Sequence, residues 1–398
     1  MRRISEADVR GKKVLVRVDL NSPIEGGSIV PTARIFAHAI TVRELSDRGA
    51  KVIVLAHQGR RGSKDFMSLE QHAKYFHKAI ERDVYFVDDV IGENAKKAIS
   101  RMEDGHVLLL DNVRQLTCET ENDDGYGKIV HELSPLVDWF VLDALSVAHR
   151  PHSSVIGFCN TLPCFAGDVL SAEAEAVESV RDSRDVIFIF GGSKVRDSFT
   201  VMEEWLASNR AREILVGGAL SILMLHASGK NVGSSMKYLE ESGLLEYAER
   251  AKKLIDTYNG KIKLPLDVAM NVDGERVEKK VAEVDGGQIQ DIGPKTTERY
   301  IEVINNSHAI VMNGPMGVYE NEKFEKGTRE ILNAIAKCDA FSLLGGGHTL
   351  AAIEKFNIDK RYFSYVSLSG KALVEYLCGK ELPGLRALEE NEKKFPGI

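Results

Sequence analysis

LLGGGHTLAAIEKF, residues 343–356, runs from an apolar strand end through three glycines into a helix. Strand, tight turn and helix in that order make half of a βαβ unit, and the order recurs along the chain. Short apolar or β-branched runs stand at 13–19, 51–57, 84–89, 106–112 and 139–145, with helical patterns near 32–49, 68–80, 92–102 and 122–133. Later runs occupy 185–192, 213–218, 261–268, 308–314, 341–347 and 362–370. Continuous apolar runs of this length, separated by helices, predict strands buried on both faces of a parallel sheet. The glycines of 345–347 suit close approach of backbone N–H groups to an anion at a helix N-terminus. The stretch nevertheless fits neither G-x-x-x-x-G-K-[ST] nor G-x-G-x-x-G.

A chain of 398 residues exceeds one ordinary core and suits two domains. Between the two series of runs, GDVLSAEAEAVESVRDSRD (167–185) is rich in Ala and Glu and reads as one helix. The expected division is 1–166, then 167–385 opening with a connecting helix over 167–184, then a polar tail over 386–398. The expected fold class is α/β, two Rossmann-like domains with parallel sheets joined by a helix and an active site in the interdomain cleft. A helical connector would hold the two at a defined distance, unlike a Gly/Ser tether.

At 43% hydrophobic and 28% charged residues, the composition is that of a soluble globular chain. A net charge of -7 argues against nucleic acid or an anionic membrane as partner, so any basic site must be local. The five cysteines include no C-x-x-C, which predicts buried thiols in a reducing compartment rather than disulfides or zinc. MRRISEADVRGKK at the start has no apolar segment, and a cytoplasmic protein is the expectation; the sequence does not give the oligomeric state, with a monomer favoured.

In open α/β sheets, ligands bind beyond the carboxyl ends of the strands. In the first half those ends carry Arg17, Asp19 and Asn21; His57, Gly59 and Arg60 around Gln58; Asp111, Asn112 and Arg114; and Asp143 followed by His149, Arg150 and His152. Arg34 opens the first helix. Any one arginine there is more often a surface ion pair. Arg17, Arg34, Arg60, Arg114 and Arg150 gathered on one edge of an acidic protein predict a site for a small, multiply charged anion, because guanidinium groups hold carboxylate and phosphate oxygens bidentately. The second half places glycines at the same edge: Gly191-Gly192-Ser193-Lys194, Gly217-Gly218, Asn313-Gly314, Gly345-Gly346-Gly347-His348-Thr349 and Ser369-Gly370-Lys371. Tight packing turns explain any one pair as well as phosphate binding does; five in one domain make packing alone a poor account. Asp197, a helical turn after Lys194, suits a metal ligand or a partner for that lysine. A basic half facing a glycine-rich half suits phosphoryl transfer, which needs positioning and charge neutralisation.

In order, VRVDLNSP, AHQGRRG, LLDNVR, DALSVAHRPHSS, FGGSKVRDS, DIGPKT, MNGPMGVYE, LLGGGHT and GKELPG, from residue 16 to residue 384, resemble the successive signatures of the phosphoglycerate kinase family, with details closer to its archaeal branch. The resemblance implies reversible transfer between ATP and the carboxylate of 3-phospho-D-glycerate, with Mg²⁺. It implies that Asp19, Asn21, Arg34, His57, Gln58, Gly59, Arg60, Arg114 and Arg150 bind the glycerate. Arg34 and Lys194 would stabilise the transferring group. Lys194, Asn313, Glu320, Gly345, Gly346, Gly347, His348 and Thr349 would hold the nucleotide, Glu320 at its ribose, and Asp197 the metal. The choice of glycerate rests on the resemblance and not on the residues' chemistry.

Three positions depart from the family's common patterns. Ser198 stands where G-G-A-K-V-x-D-K has a second lysine, leaving that role to Arg196, to Lys371 or to none. His348 replaces the aspartate of G-G-G-D-T, and neutral imidazole is a poor Mg²⁺ ligand. Lys371 replaces a glycine of S-T-G-G-G-A. These departures motivate a rival reading, a catalytically silent paralogue that binds phosphoglycerate or nucleotide; a phosphotransferase for another small acid is a second. Two further stretches read as structural. Asp88-Asp89 reads as a strand end with a helix cap, and 239–258 as one amphipathic helix with a core-facing Leu and Tyr stripe.

Overall fold

The computed structural model describes residues 1–121 and 127–397 and divides into two compact units, Met1–Glu175 with Lys380–Ile398, and Ala176–Gly379. In the first unit the expected runs become β1 (Lys13–Arg17), β2 (Lys51–Leu55), β3 (Val84–Val87), β4 (Val107–Leu110) and β5 (Trp139–Leu142), joined by β6 (Cys164–Ala166), which sequence reading did not anticipate. They form one parallel sheet in the order β3-β4-β2-β1-β5-β6. Val14, Leu15 and Val16 pair with Val52, Ile53 and Val54, and all six are fully buried, as strands covered on both faces must be. Helix Ala33–Asp47 adds Ile35, Ala39, Val42 and Leu45 to one core, and helix Glu70–Ile80 adds Phe76.

The second unit carries β7 (Val186–Phe190), β8 (Ala211–Val216), β9 (Ile262–Lys263), the strands β10 (Asp267–Val272), β11 (Glu275–Lys280) and β12 (Gln288–Ile292), then β13 (Ala309–Asn313), β14 (Phe341–Gly345) and β15 (Tyr365–Val366). A parallel sheet runs β9-β8-β7-β13-β14-β15, and a separate antiparallel sheet runs β11-β10-β12. In both parallel sheets every strand ends on the same edge, and that edge positions the residues of interest.

Several expectations need correction. The run 261–268 is two strands in two different sheets, β9 and the start of β10. The single helix over 239–258 is broken: Ser235–Glu241 ends before Gly243, whose φ of 70° lies in the left-handed region open to glycine, and Ala248–Thr257 follows. Helix Gly127–Leu133 is shorter than the pattern 122–133, whose first five positions lie outside the described residues. The division between units falls within helix Asp168–Asp182 rather than at its start. The segment read as a separate tail belongs to the first unit. Its helix, Pro383–Lys394, is anchored by buried Asn391, which accepts from the Cys164 N–H at 2.8 Å and donates to the Cys159 and Leu162 carbonyls at 2.7 and 2.8 Å. Asp89 does cap: it accepts from the N–H groups of Val90, Gly92 and Ala95 at the entry to helix Glu93–Ser100. All five cysteines are free thiols.

Candidate functional site

Beyond the carboxyl ends of β1, β2, β4 and β5, the first unit gathers most of its predicted cations. Asp19 follows β1; its carboxylate accepts from the Ser146 hydroxyl at 2.6 Å and the Asn21 N–H at 3.0 Å and lies 3.5 Å from Arg34 Nε. Arg34, on the first turn of helix Ala33–Asp47, also donates to the Asn21 carbonyl at 3.3 Å. The Asn21 side chain accepts from the Gly59 N–H at 2.8 Å, and Arg114 donates to the Gly59 carbonyl. Gly59 has φ 65°, and a Cβ there would stand 2.3 Å from the Asp65 carbonyl oxygen, so only glycine lets this loop close. Arg150 Nη1 stands 3.4 Å from His57 Nε2.

These groups perturb one another. Burial brings the Arg114 guanidinium down to about 10, with Arg150 and Arg17 adding to the effect. Burial, with Arg60 and Arg34 nearby, likewise lowers Arg150. His57 is held far below the usual imidazole range by burial and by Arg17, and His152 falls to about 4 by burial and by Arg114. Burial pushes the Asp19 carboxyl up, yet Arg34 and the hydrogen bonds from Ser146 and Asn21 hold it below the usual range. Burial leads these shifts, and neighbouring guanidinium groups add to it at Arg114, Arg150, His57 and His152, which marks a strongly positive site.

Two predicted contacts sit differently. Gln58 is 0% exposed and its amide is fully used: Oε1 accepts from the Ser22 N–H and faces His72 Nε2, and Nε2 donates to the Ser22 and Asp65 carbonyls. Its side chain holds the loop. Arg17, counted among the clustered arginines, is 1% exposed and turns inward. It donates to the Ser154 hydroxyl at 2.8 Å and the Val18 carbonyl, and its Nη2 lies 3.2 Å from His57 Nδ1. Behind it lies Glu119, also fully buried, which no motif signalled.

In the second unit the glycines divide into two kinds. A Cβ at Gly191 would stand 2.0 Å from the Pro315 carbonyl oxygen, one at Gly218 2.5 Å from the Gly192 nitrogen, one at Gly314 2.3 Å from the Gly191 carbonyl oxygen, and one at Gly345 2.4 Å from Leu373. These turns pack against each other. Gly347 and Gly370 face open space instead. Thr349 is buried and its hydroxyl accepts from the Gly314 N–H at 2.8 Å, tying two strand ends together.

Above these turns lies a cavity of about 210 Å³ with a mostly apolar lining, including Ala219, Ile222, Tyr238, Met316, Val318 and Glu320. A smaller one of about 20 Å³ is lined by Lys194, Ser198, Asn313, Gly346, Gly347 and His348. Gly192, Ser193, Pro315 and His348 border both. An apolar chamber continuous with a glycine- and lysine-lined one suits a nucleoside with its phosphates. His348 Nδ1 lies 3.4 Å from the Tyr319 hydroxyl and 3.8 Å from Glu320 Oε1, so it links the two chambers' walls. Burial and Glu320 push the Tyr319 hydroxyl up to about 12.

A sequence model of the family described as phosphoglycerate kinase matches residues 4–380. The chain belongs to the phosphoglycerate kinase family. Phosphoglycerate kinases of Methanothermobacter thermautotrophicus and Pyrococcus horikoshii are 38% and 36% identical to it, over 98% and 100% of this chain and 96% and 100% of theirs. The crystal structure of phosphoglycerate kinase from P. horikoshii OT3 superposes with a TM-score of 0.93 at 35% identity, covering 99% of this chain and 100% of that one. That of the Coxiella burnetii phosphoglycerate kinase gives 0.81 at 30%, covering 98% of each. Like the rest of this family, the chain is a phosphotransferase. Its departures from common family patterns now have places. Ser198 lines the small chamber, Arg196 Nε donates to the Tyr247 hydroxyl at 3.1 Å, and exposed Lys371 lies 3.7 Å from Glu375 on its own helix.

Proposed function

We propose that the first unit holds 3-phospho-D-glycerate through Arg34, His57, Arg60, Arg114 and Arg150, with Asp19 and Asn21 orienting them, while the second holds ATP or ADP. The reaction is reversible phosphoryl transfer between ATP and the glycerate carboxylate. The observation that carries the reading is the gathering of Arg34, His57, Arg114 and Arg150 at the carboxyl edge of β1, β2, β4 and β5. The adenosine occupies the apolar chamber with its ribose at Glu320, and the phosphates enter the small chamber at Lys194 and Gly347. His348 donates a hydrogen bond to a phosphate.

The carboxylate oxygen is itself the nucleophile, so no enzyme side chain forms a covalent bond. Arg34 and Lys194 offset charge on the transferring group, an electrostatic role with little proton chemistry. The donor set fits Mg²⁺ in a limited way. Asp197 supplies one carboxylate on the first turn of helix Val195–Ala207, and among the described residues no three His, Cys, Asp or Glu side chains form a metal cage. Mg²⁺ commonly takes one or two carboxylates and otherwise phosphate oxygens and water. Asp197 would hold the ion, whose contribution is to neutralise phosphate charge. With separate units holding the two ligands, a hinge motion that excludes water would accompany transfer. No helix among the described residues is long and apolar enough to cross a membrane. We place the enzyme in the cytoplasm.

The test is a coupled assay for ATP-dependent formation of 1,3-bisphosphoglycerate. Turnover in the parent protein, lost at least a hundredfold in Arg34→Ala, supports the assignment. Binding of 3-phosphoglycerate or ADP without turnover would establish the silent module instead. His348→Ala weakens ADP only several-fold; abolished activity would show that the metal depends on this side chain.

A further inference from the structure

We infer that Arg17 and Glu119 are positioning residues that fix which nitrogen of His57 carries its proton, so that the ring presents an N–H to the anion. The inference rests on the reading that His57 faces the phosphoglycerate.

Hydrogen-bond polarity can be assigned from one end of a buried chain to the other. Guanidinium has donors and no acceptor. Arg17 Nη2 stands 3.2 Å from His57 Nδ1, so that nitrogen presents its lone pair, and the proton of the neutral ring sits on Nε2. A protonated ring would set N–H against N–H. Burial and the charges of Arg17, Arg114 and Arg150 disfavour that state and outweigh the Asp19 carboxylate, which favours it. On the other side of the ring, Arg150 Nη1 stands 3.4 Å from Nε2, so both ring nitrogens face guanidinium donors, and a neutral ring accepts at only one. The shorter contact to the more deeply buried Arg17 assigns acceptance to Nδ1, leaving Nε2–H beside a second donor. Two donors turned toward one region call for an acceptor between them, and an oxygen of a carboxylate or phosphate supplies it.

Arg17 can dictate this polarity because every one of its nitrogens is engaged. Nε donates to the Ser154 hydroxyl at 2.8 Å, and Nη1 to the Val18 carbonyl. Ser154 in turn donates through its hydroxyl to Glu119 Oε1 at 2.7 Å and through its N–H to Oε2 at 2.9 Å. Glu119 is 0% exposed and lies in the short turn Thr117–Glu119, where it supplies the counter-charge that a buried guanidinium requires. Neither Arg17 nor Glu119 reaches the ligand. Their effect is to make His57 a fixed neutral donor whose hydrogen bond does not change between mildly acidic and mildly basic solution.

Long-range ¹H–¹⁵N correlation on the labelled full-length protein reads the tautomer directly, with His57→Gln identifying the signals. The expected result is a pyrrole-like Nε2, a pyridine-like Nδ1 and no titration between about pH 5 and about pH 8. An Nδ1–H tautomer, or titration near the ordinary imidazole value, would overturn the inference, and the parent protein alone decides this even if variants fold poorly. In Glu119→Gln and Arg17→Met the ring should titrate or mix tautomers, and the KM for 3-phosphoglycerate should rise about tenfold and become pH-dependent, with kcat less affected. An unchanged His57 in folded variants also overturns it. Saturating 3-phosphoglycerate should shift Nε2; the expected tautomer without that shift would leave the positioning chain standing and remove His57 from the substrate site.

Discussion

Acidification should weaken the first unit through His72 in particular. This residue sits on helix Glu70–Ile80 with no exposed surface, and its Nε2 donates to Gln58 Oε1 at 3.0 Å. Nδ1 has no hydrogen-bond partner among the described residues, so protonating the ring would bury an unsatisfied N–H. Burial accordingly takes the imidazole down to about 4, against 6.5 for the free side chain. Between those values the unfolded chain binds a proton that the folded one does not, so stability is lost as pH falls through the upper value. From about pH 7 to about pH 5 the loss from this one group is roughly 2 kcal/mol. His57 and His152 shift in the same direction, so the total acid sensitivity is larger, and a difference measurement isolates His72. The chain has two tryptophans, Trp139 in the first unit and Trp205 in the second. In a Trp205→Phe background, urea unfolding followed by Trp139 fluorescence reports on the first unit alone. His72→Gln keeps a donor for Gln58 and removes the titration, so its stability should fall about 2 kcal/mol less over this interval. Equal losses in the two proteins would refute the burial argument.

The two kinds of glycine should respond oppositely. Gly191→Ala, whose Cβ would meet the Pro315 carbonyl, should cost about 1–3 kcal/mol or more in unfolding followed by Trp205. Gly347→Ala, in open space on the first turn of helix Gly347–Lys355, should leave stability unchanged or slightly raised while ADP titration shows weaker binding. Asn391→Ala removes one acceptor and two donors buried against β6 and its approach, and should destabilise the first unit by about 2–4 kcal/mol by Trp139 fluorescence.

The parallel strands were legible because a strand covered on both faces must be apolar along its buried length, as VLV (14–16) and VIVL (52–55) are. The antiparallel sheet β11-β10-β12 was not. Its outer strand ERVEKK is an edge exposed to water, and its composition resembles a loop's. At the site, position along a strand could be read but direction could not. Arg17 and Arg114 both follow apolar runs, yet Arg17 is the last residue of β1 and points into the core, whereas Arg114 lies past the end of β4 and reaches Gly59. Glycines raised a different ambiguity. A turn pressed against a neighbouring carbonyl and a turn left clear for a phosphate both demand the missing Cβ, and only the surroundings of Gly191 and Gly347 tell them apart. Glu119 offered no signal at all, since its partners Ser154 and Arg17 are 35 and 102 residues away along the chain and no motif joins them.

The same buried chain bears on why the substrate carboxylate survives as a nucleophile in so acidic-looking a reaction. A carboxylate surrounded by proton donors reacts with phosphorus only if none of them surrenders the proton. Arginine keeps its charge at any working pH even when crowding brings Arg114 down to about 10. A histidine is the one donor in such a ring whose charge would ordinarily change near neutrality, and with it the hydrogen bond it offers an anion. Here Arg17 occupies the His57 Nδ1 lone pair, and burial with the neighbouring guanidinium keeps the ring neutral, so its remaining N–H can stabilise an anion without neutralising it. On this proposal the first unit supplies positive potential and hydrogen bonds, and His57 contributes its N–H without a change of charge near neutrality. Charge neutralisation without protonation is what transfer to a carboxylate requires, and Glu119, remote from the substrate, is part of how the fold achieves it.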